Sequence, residues 1–579
     1  MRHLSRVAAA LMLVAGLLLT TALSARPHTS HAASTLSASP TNQLIVSFKD
    51  LKSASALTQV QLGDRMTTLS ALAGTTLSYA RPMSGGQHVL RLPAALPIDQ
   101  VEQIAARLRA SANIERAEPD YMRQAADAPA RLSTGTPPND PLYAQQWNDG
   151  PAASWGANLQ GAWEITTGDP KLTIAVIDTG IRPDHPDLVG RTVPGVGYDF
   201  ISDAPTARDG DGRDDDPSDE GDWNLSGDCG GASAHSSSWH GTHVAGIIGA
   251  AGNNSVGVAG INWRSKLLIL RGLGRCGGFD SDIIDAMRWA VGIAVPGMPD
   301  NAYPARVINM SLGGFSYSCP ATYQSAIDDA VGKGAVVVVA AGNSQSNATY
   351  FTPANCQNVV VVGATGPSGD RASYSNYGSS LDLSAPGGTL SSGVLSTLNG
   401  GATTPGSNGY GYLAGTSMAA PHVAGVASLI LSVNPSLTPG QVESLLKDNV
   451  TSFPGSSDCA LNIYDCGDGI LNAAAAVQAT TPLFAIASGD PPGGLRGVPY
   501  SFQFSATGNP SASFAITSGA LPPGLTLSAE GLLAGTPTKI GQWQFTVEAT
   551  GSLGATDSRS ATLAVSEPLP PYFVPLSLS

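Results

Sequence analysis

The sequence predicts three architectures in succession: a small α+β unit, a mostly parallel α/β sheet with helices on both faces, and an all-β sandwich. Three observations carry this. Short apolar runs rich in β-branched residues (Leu172 to Ile177, Lys266 to Leu270, Arg306 to Met310, Val336 to Ala340, Val359 to Gly363) alternate with helical stretches through the middle of the chain. Such runs are strands buried on both faces, and their alternation with helices builds a parallel sheet. Ahead of them, strand, helix, strand, helix and strand follow one another between Leu44 and Tyr121. Behind them Phe502 and Phe504, then Trp543, Phe545 and Val547, alternate with polar residues on either side of the turn Leu521-Pro522-Pro523-Gly524-Leu525. At 579 residues the chain has room for all three.

Taken in order, Arg2 and Arg6 precede the apolar run Val7 to Leu23, with small residues at Ala22, Ser24 and Ala25. That is an export signal over 1–25, and polar sequence from Arg26 onward distinguishes it from a membrane anchor. The first unit then contains strands at Leu44 to Phe48, His88 to Leu92 and Ile114 to Tyr121, with a helix at Ile98 to Arg109. Residues 125–138, rich in Ala, Pro, Ser and Thr, read as an exposed linker. A second short linker is expected at 480–487, the sandwich at 488–566, and a Pro-rich tail at 567–579. The net charge of −14 argues against nucleic acid and for a self-repelling extracellular protein. No membrane anchor is expected, and a monomer is. Six cysteines in an exported chain imply three disulfides out of fifteen possible pairings. Cys459 and Cys466 are close enough in sequence to pair with each other; no CxxC spacing suggests a metal instead.

The chemistry concentrates in Gly415-Thr416-Ser417-Met418-Ala419-Ala420-Pro421-His422, a serine between small residues at the mouth of an apolar helix. A serine hydroxyl attacks only when a base takes its proton and donors receive the oxyanion. Otherwise a serine at such a place is a helix cap. The candidate base is His240, at the exposed start of the helix His240-Gly241-Thr242-His243-Val244-Ala245-Gly246, while His243, one turn in, is structural. Paired histidines can bind zinc, but the H-E-x-x-H pattern is missing. Asp178 ends the strand Leu172 to Ile177, on the strand edge where α/β sheets gather their chemistry. The order Asp178, His240, Ser417 is that of subtilisin.

With AVIDTG, HGTHVAG and GTSMAAPHVAG in that order, the chain resembles secreted subtilisin-like serine peptidases (subtilases) across roughly Asn139 to Val477. The resemblance implies a subtilisin-like catalytic domain over 139–479, hydrolysing peptide bonds of protein substrates. It implies Asn343 as oxyanion donor beside the Ser417 backbone N–H. Ser311, Leu312, Gly313 and Gly314 would form an edge to which extended substrate pairs, opposite Arg275 to Gly278. Ser311 to Gly313, with Ala340, Ala341 and Gly342, would wall the pocket for the residue before the scissile bond. The unit at 26–124 would be a propeptide, a folding template and intramolecular inhibitor, rather than a permanent N-terminal domain. Related secreted subtilases favour Cys229–Cys276 and Cys319–Cys356. The family's calcium loop maps onto Asn254 and the carbonyls of Ala251, Val256 and Val258, with Asp187 and Asp140. A second calcium is expected at Asp209, Asp211, Asp214, Asp216 and Asp219, a run that reaches Glu220 at the twelfth position of an EF-hand count but lacks flanking helices. The sandwich resembles immunoglobulin-like modules of exported proteins. This leaves an alternative in which the chain works as an adhesin through that module.

Overall fold

The computed structural model describes residues 40–49, 59–125, 128–129, 139–230, 232–480, 485–507, 512–551 and 556–568. The expected export signal and most of the 125–138 linker and C-terminal tail lie outside them.

The N-terminal unit comprises β1 (Thr41–Phe48), α1 (Gln59–Ala73), β2 (Ser78–Pro82), β3 (Gln87–Leu96), α2 (Ile98–Arg109) and β4 (Ile114–Pro119). Its strands form an antiparallel sheet in the order β2-β3-β1-β4. The polar β2 has no apolar alternation and escapes a pattern reading. Successive strand residues face opposite sides of a sheet. Here Leu44 and Val46 enter the unit's own core with Leu90, Val101 and Leu108. Ile45 and Val89 instead join a core of the next domain, beside Ile283 and Met287. The uninterrupted apolar run of β1 is thus a strand buried on both faces. Two short strands follow, β5 (Met122–Ala125) and β6 (Ala128–Pro129).

The central sheet holds seven strands, all parallel, in the order β16-β15-β13-β11-β7-β9-β8. These are β7 (Thr173–Asp178), β8 (Thr192–Asp199), β9 (Lys266–Arg271), β11 (Val307–Met310), β13 (Val336–Ala340), β15 (Val360–Thr365) and β16 (Leu383–Pro386). On one face Ile174, Val176 and Val338 pack with helices α3 (His240–Gly249) and α6 (Thr416–Val433). On the other, Ala175, Ile177, Val337 and Val339 pack with α4 (Asp280–Ala290) and α5 (Ala321–Gly332). Among the described residues α6 is the one helix long and apolar enough to cross a membrane, and it is buried in this core. Short strands continue from the carboxyl ends of the sheet: β10 (Gly278–Phe279), β12 (Leu312–Phe315) and β14 (Phe351–Thr352). A hairpin, β17 (Val394–Asn399) and β18 (Asn408–Ala414), leads into α6.

The disulfides are Cys229–Cys276, Cys319–Cys356 and Cys459–Cys466. Among the described residues beyond 484 every element is a strand, in sheets of four, three and two, around a core of Phe504, Phe514, Leu533, Phe545, Val547 and Leu563. Ala485–Ile486 already pairs with Ala506–Thr507, so strand pairing begins before the expected boundary at Ser488. Two residues are too few to show alternation.

Candidate active site

Asp178 is the last residue of β7, and His240 the first of α3. His240 Nδ1 lies 2.7 Å from Asp178 Oδ1, which also accepts the Thr179 N–H at 2.8 Å. With Nδ1–H donated to a carboxylate, Nε2 is the nitrogen left with a lone pair. Gly241 is required for this approach: a Cβ there would stand 2.1 Å from the Gly180 carbonyl. Ser417 opens α6 beside Thr416, and its Oγ lies 3.1 Å from the Ser311 carbonyl. In return Ser311 Oγ donates to the Ser417 carbonyl at 2.8 Å and accepts from Asn309 Nδ2 at 2.9 Å. These bonds fix the serine's backbone against Ser311, the residue between β11 and β12.

Asn343 follows β13. Its Oδ1 accepts the Thr416 N–H and the Thr416 hydroxyl, each at 2.9 Å. An N–H can only donate, so the amide orientation is set and Nδ2 must point the other way. That Nδ2 is buried and has no hydrogen-bond partner among the described residues. A buried amide N–H without a partner is costly, and the cost is explained if an oxygen is meant to arrive there.

His243 sits one turn past His240, fully buried, with Nε2 donating to the Val394 and Gly411 carbonyls at 3.1 Å each. Burial lowers its pKa to about 3. It is a neutral packing residue, as expected. His240 itself is completely buried, against the expectation of an exposed helix start.

The groove is where the structure departs furthest from the expectation of an exposed linker. β5 lies between β10 and β12 in a four-stranded antiparallel sheet of order β10-β5-β12-β14. Gly278 pairs with Arg123, Gly313 with Gln124, and Leu312 with Ala125. β6 then pairs with β18, Ala128 opposite Ala414 and Pro129 opposite Leu413, just ahead of Ser417. The chain's own segment therefore lies across the edges expected to receive substrate, next to the buried His240 and Ser417. The expected pocket walls sit at neighbouring strand ends, Ser311 to Gly314 after β11 and Ala341 and Gly342 after β13. A cavity of about 410 Å³ is lined by Asp222, His235, Ser238 and Leu273 and bounded by the Cys229–Cys276 disulfide.

The N-terminal unit docks through carboxylates on helix starts. Glu118 Oε1 accepts the Thr322 N–H at 3.1 Å in the first turn of α5, and Asp120 accepts the Ser281 N–H at 2.9 Å in the first turn of α4. Free N–H groups at helix N-termini suit such anions. Burial nevertheless raises Glu118 to about 7 and Asp120 to about 8. Arg81 reaches Asp282 and Asp285 at 2.8 and 2.9 Å, sharing both with Arg213.

The two proposed calcium sets fare differently. Asp140 and Asp187, both fully buried, meet at the 251–258 loop. Asp140 accepts the N–H groups of Asn253 and Asn254, and Asp187 accepts from Asn254 Nδ2 and the Val258 N–H. Two buried carboxylates at an Asn-rich loop are hard-oxygen donors of the kind that suits calcium, while the Asn254 amide oxygen is taken by the Val256 N–H. The second set does not converge. Asp209 pairs with Arg271, Asp219 accepts from Thr179 and the Gly221 N–H, and Asp214 and Asp216 cap turns of their own run. Asp211 only lends its N–H to Asp209. No group of three or more acidic, His or Cys side chains suited to a metal exists among the described residues. The acidic run is consumed by a buried arginine and local turns.

Sequence reasoning missed several contributors. Thr416, Asn309 and the Asn148–His422–Met418 chain of hydrogen bonds position the start of α6. His422 was visible in the motif; Asn148, more than two hundred residues away, carried no signal.

Residues 169–472 match the model described as Subtilase family, and residues 485–566 the one described as Putative Ig domain. The chain is 47% identical over 444 residues to an extracellular protease of Xanthomonas campestris pv. campestris, covering 76% of this chain and 72% of that one. It is 40% identical over 447 residues to an extracellular basic protease of Dichelobacter nodosus, covering 76% and 70%. Among solved structures, a protease from Pseudoalteromonas arctica is 49% identical with a TM-score of 0.57, covering 60% of this chain and all of that one. Fervidolysin from Fervidobacterium pennivorans has a TM-score of 0.54 at 20% identity, over 91% of this chain and 78% of that one, a likeness of fold. These relatives are named for proteolysis, and the adhesin alternative gains no support from them.

Proposed function

The chain belongs to the subtilase family of serine peptidases, and we propose that it is a secreted endopeptidase whose nucleophile is Ser417, made as a zymogen. His240 removes the Ser417 proton as Oγ attacks a peptide carbonyl, and Asp178 holds His240 in the required tautomer and supports the imidazolium. Asn343 Nδ2 and the Ser417 N–H receive the oxyanion. His240 then protonates the leaving amine, and water resolves the acyl-enzyme with the roles reversed. The single observation that carries this reading is the unpartnered amide Nδ2 of Asn343 beside the residue that starts α6.

Residues 1–25 would direct export and 26–124 would be the propeptide, with 125–138 as the segment to be cut. The support is the pairing of β5 and β6 with both sides of the groove, the place a seated inhibitor would take. The calcium of the 251–258 loop would be held by Asp140, Asp187, Asn254 and the carbonyls of Ala251, Val256 and Val258. Bound there, it would neutralise two buried carboxylates and tie the loop to the domain.

The test is expression of the full chain with Ser417→Ala. The variant should accumulate at full length and leave casein uncleared, whereas the unaltered chain is shortened and active. Clearing of casein by the alanine form overturns the assignment.

A further inference from the structure

We infer that the groove selects an arginine upstream of the scissile bond, and that Asp280 is the residue that selects it. The inference rests on the peptidase reading and names a substrate preference for that site. The chain's own β5 is in effect a peptide lying in the groove, held between β10 and β12. Of its residues, Arg123 is paired through its backbone with Gly278 and is fully buried at its side chain. Nε donates to Asp280 Oδ1 at 2.7 Å and Nη2 to Oδ2 at 2.9 Å, a two-pronged pair. The remaining terminal nitrogen, Nη1, donates to the Gly314 carbonyl at 3.0 Å, and the guanidinium lies 5.9 Å from the centre of the Tyr323 ring.

All three of these partners belong to the catalytic region and stay behind when the N-terminal unit leaves; only the stacking on Tyr121 departs with it. A planar fork matched to a carboxylate is specific to arginine, since a lysine ammonium makes one contact as a point charge. An apolar side chain in the same place would bury Asp280 without a partner, which is penalised more than the lost bond alone. Ala125 pairs with Leu312 and Ala128 with Ala414, and the scissile bond is taken to fall between these two positions. Arg123 therefore stands third to fifth before it. The competing account is that Arg123 and Asp280 only latch the propeptide, with no bearing on other substrates.

Fluorogenic peptides with the chain's own sequence from Met122 to Pro129 separate the two. The processed enzyme is assayed on that peptide and on versions with leucine or lysine in place of the arginine. The expected kcat/KM advantage of arginine over leucine is about 10- to 100-fold, the worth of a charge-assisted pair. Lysine should fall between. In Asp280→Asn the arginine advantage should shrink by about tenfold. Because each ratio is taken on one enzyme preparation, it does not depend on how much of the variant folds. Equal cleavage of the three peptides by the unaltered enzyme, or an unchanged ratio in Asp280→Asn, overturns the inference while leaving the peptidase reading intact. Failure to cleave any peptide or casein overturns that reading, and the preference with it.

Discussion

Replacing Asn343 by alanine separates two tasks that one side chain performs. Its Oδ1 holds the N–H and hydroxyl of Thr416, and its Nδ2 is left to donate elsewhere. Loss of the donor should lower kcat by about 10²- to 10³-fold, about 3–4 kcal/mol of transition-state stabilisation, with KM nearly unchanged. Loss of the acceptor leaves Thr416 N–H, one of the free donors at the start of α6, unpaired, at about 1–3 kcal/mol of stability. Asn343→Asp keeps an acceptor for Thr416 and removes the donor. It should therefore restore much of the melting temperature lost in the alanine form without restoring kcat. Peptide hydrolysis with active-site titration, beside calorimetry of both variants, measures the two effects independently. A kcat within tenfold of the parent, or a loss confined to KM, refutes the oxyanion role. Equal melting temperatures for the alanine and aspartate forms refute the structural one.

The calcium proposal predicts that excess EDTA lowers the melting temperature of the processed enzyme and speeds its self-digestion, by mass action on the folded state. Asp187→Asn should melt lower without EDTA and respond less to it; an unchanged melt of the parent in EDTA counts against the site. Docking of the N-terminal unit should weaken as pH rises. Glu118 and Asp120 carry raised pKa values of about 7 and about 8 when docked, against ordinary carboxylates once free. The docked state thus holds more protons between roughly pH 4 and 8, and each extra proton costs up to about tenfold in docking strength per pH unit. After processing of the full chain, activity should appear more slowly at pH 5 than at pH 8, and Glu118→Gln should flatten the difference. Release that is faster at the lower pH contradicts the sign.

Asp178, His240 and Ser417 were legible because each sits in a short motif whose small neighbours have a local reason, as Gly241 has in the Gly180 carbonyl. The parallel sheet was legible because runs such as Thr173–Asp178 are apolar on both faces. What escaped depends on pairing at a distance. β2 is too polar to announce itself, and β5 and β6 are strands only because β10, β12 and β18 offer them partners. The same applies to Arg123 with Asp280, 157 residues apart. The acidic run misled for a related reason: Arg271, which takes Asp199 and Asp209, lies beyond the window in which local charge density is read.

If the N-terminal unit is cut away as proposed, the loss of β5 from between β10 and β12 would leave a slot between two facing ladders. Neighbouring strands stand about 4.8 Å apart, so the slot is roughly twice that, one backbone wide. A chain can fill it only by offering hydrogen-bonding groups to both sides at once, which means being bare along both of its own flanks. A strand inside a folded protein has at least one flank already taken. The slot therefore sorts by foldedness before any side chain is read, admitting loops, frayed ends and unfolded polypeptide. On the same ground the enzyme's own folded domains, including the terminal sandwich, would be spared.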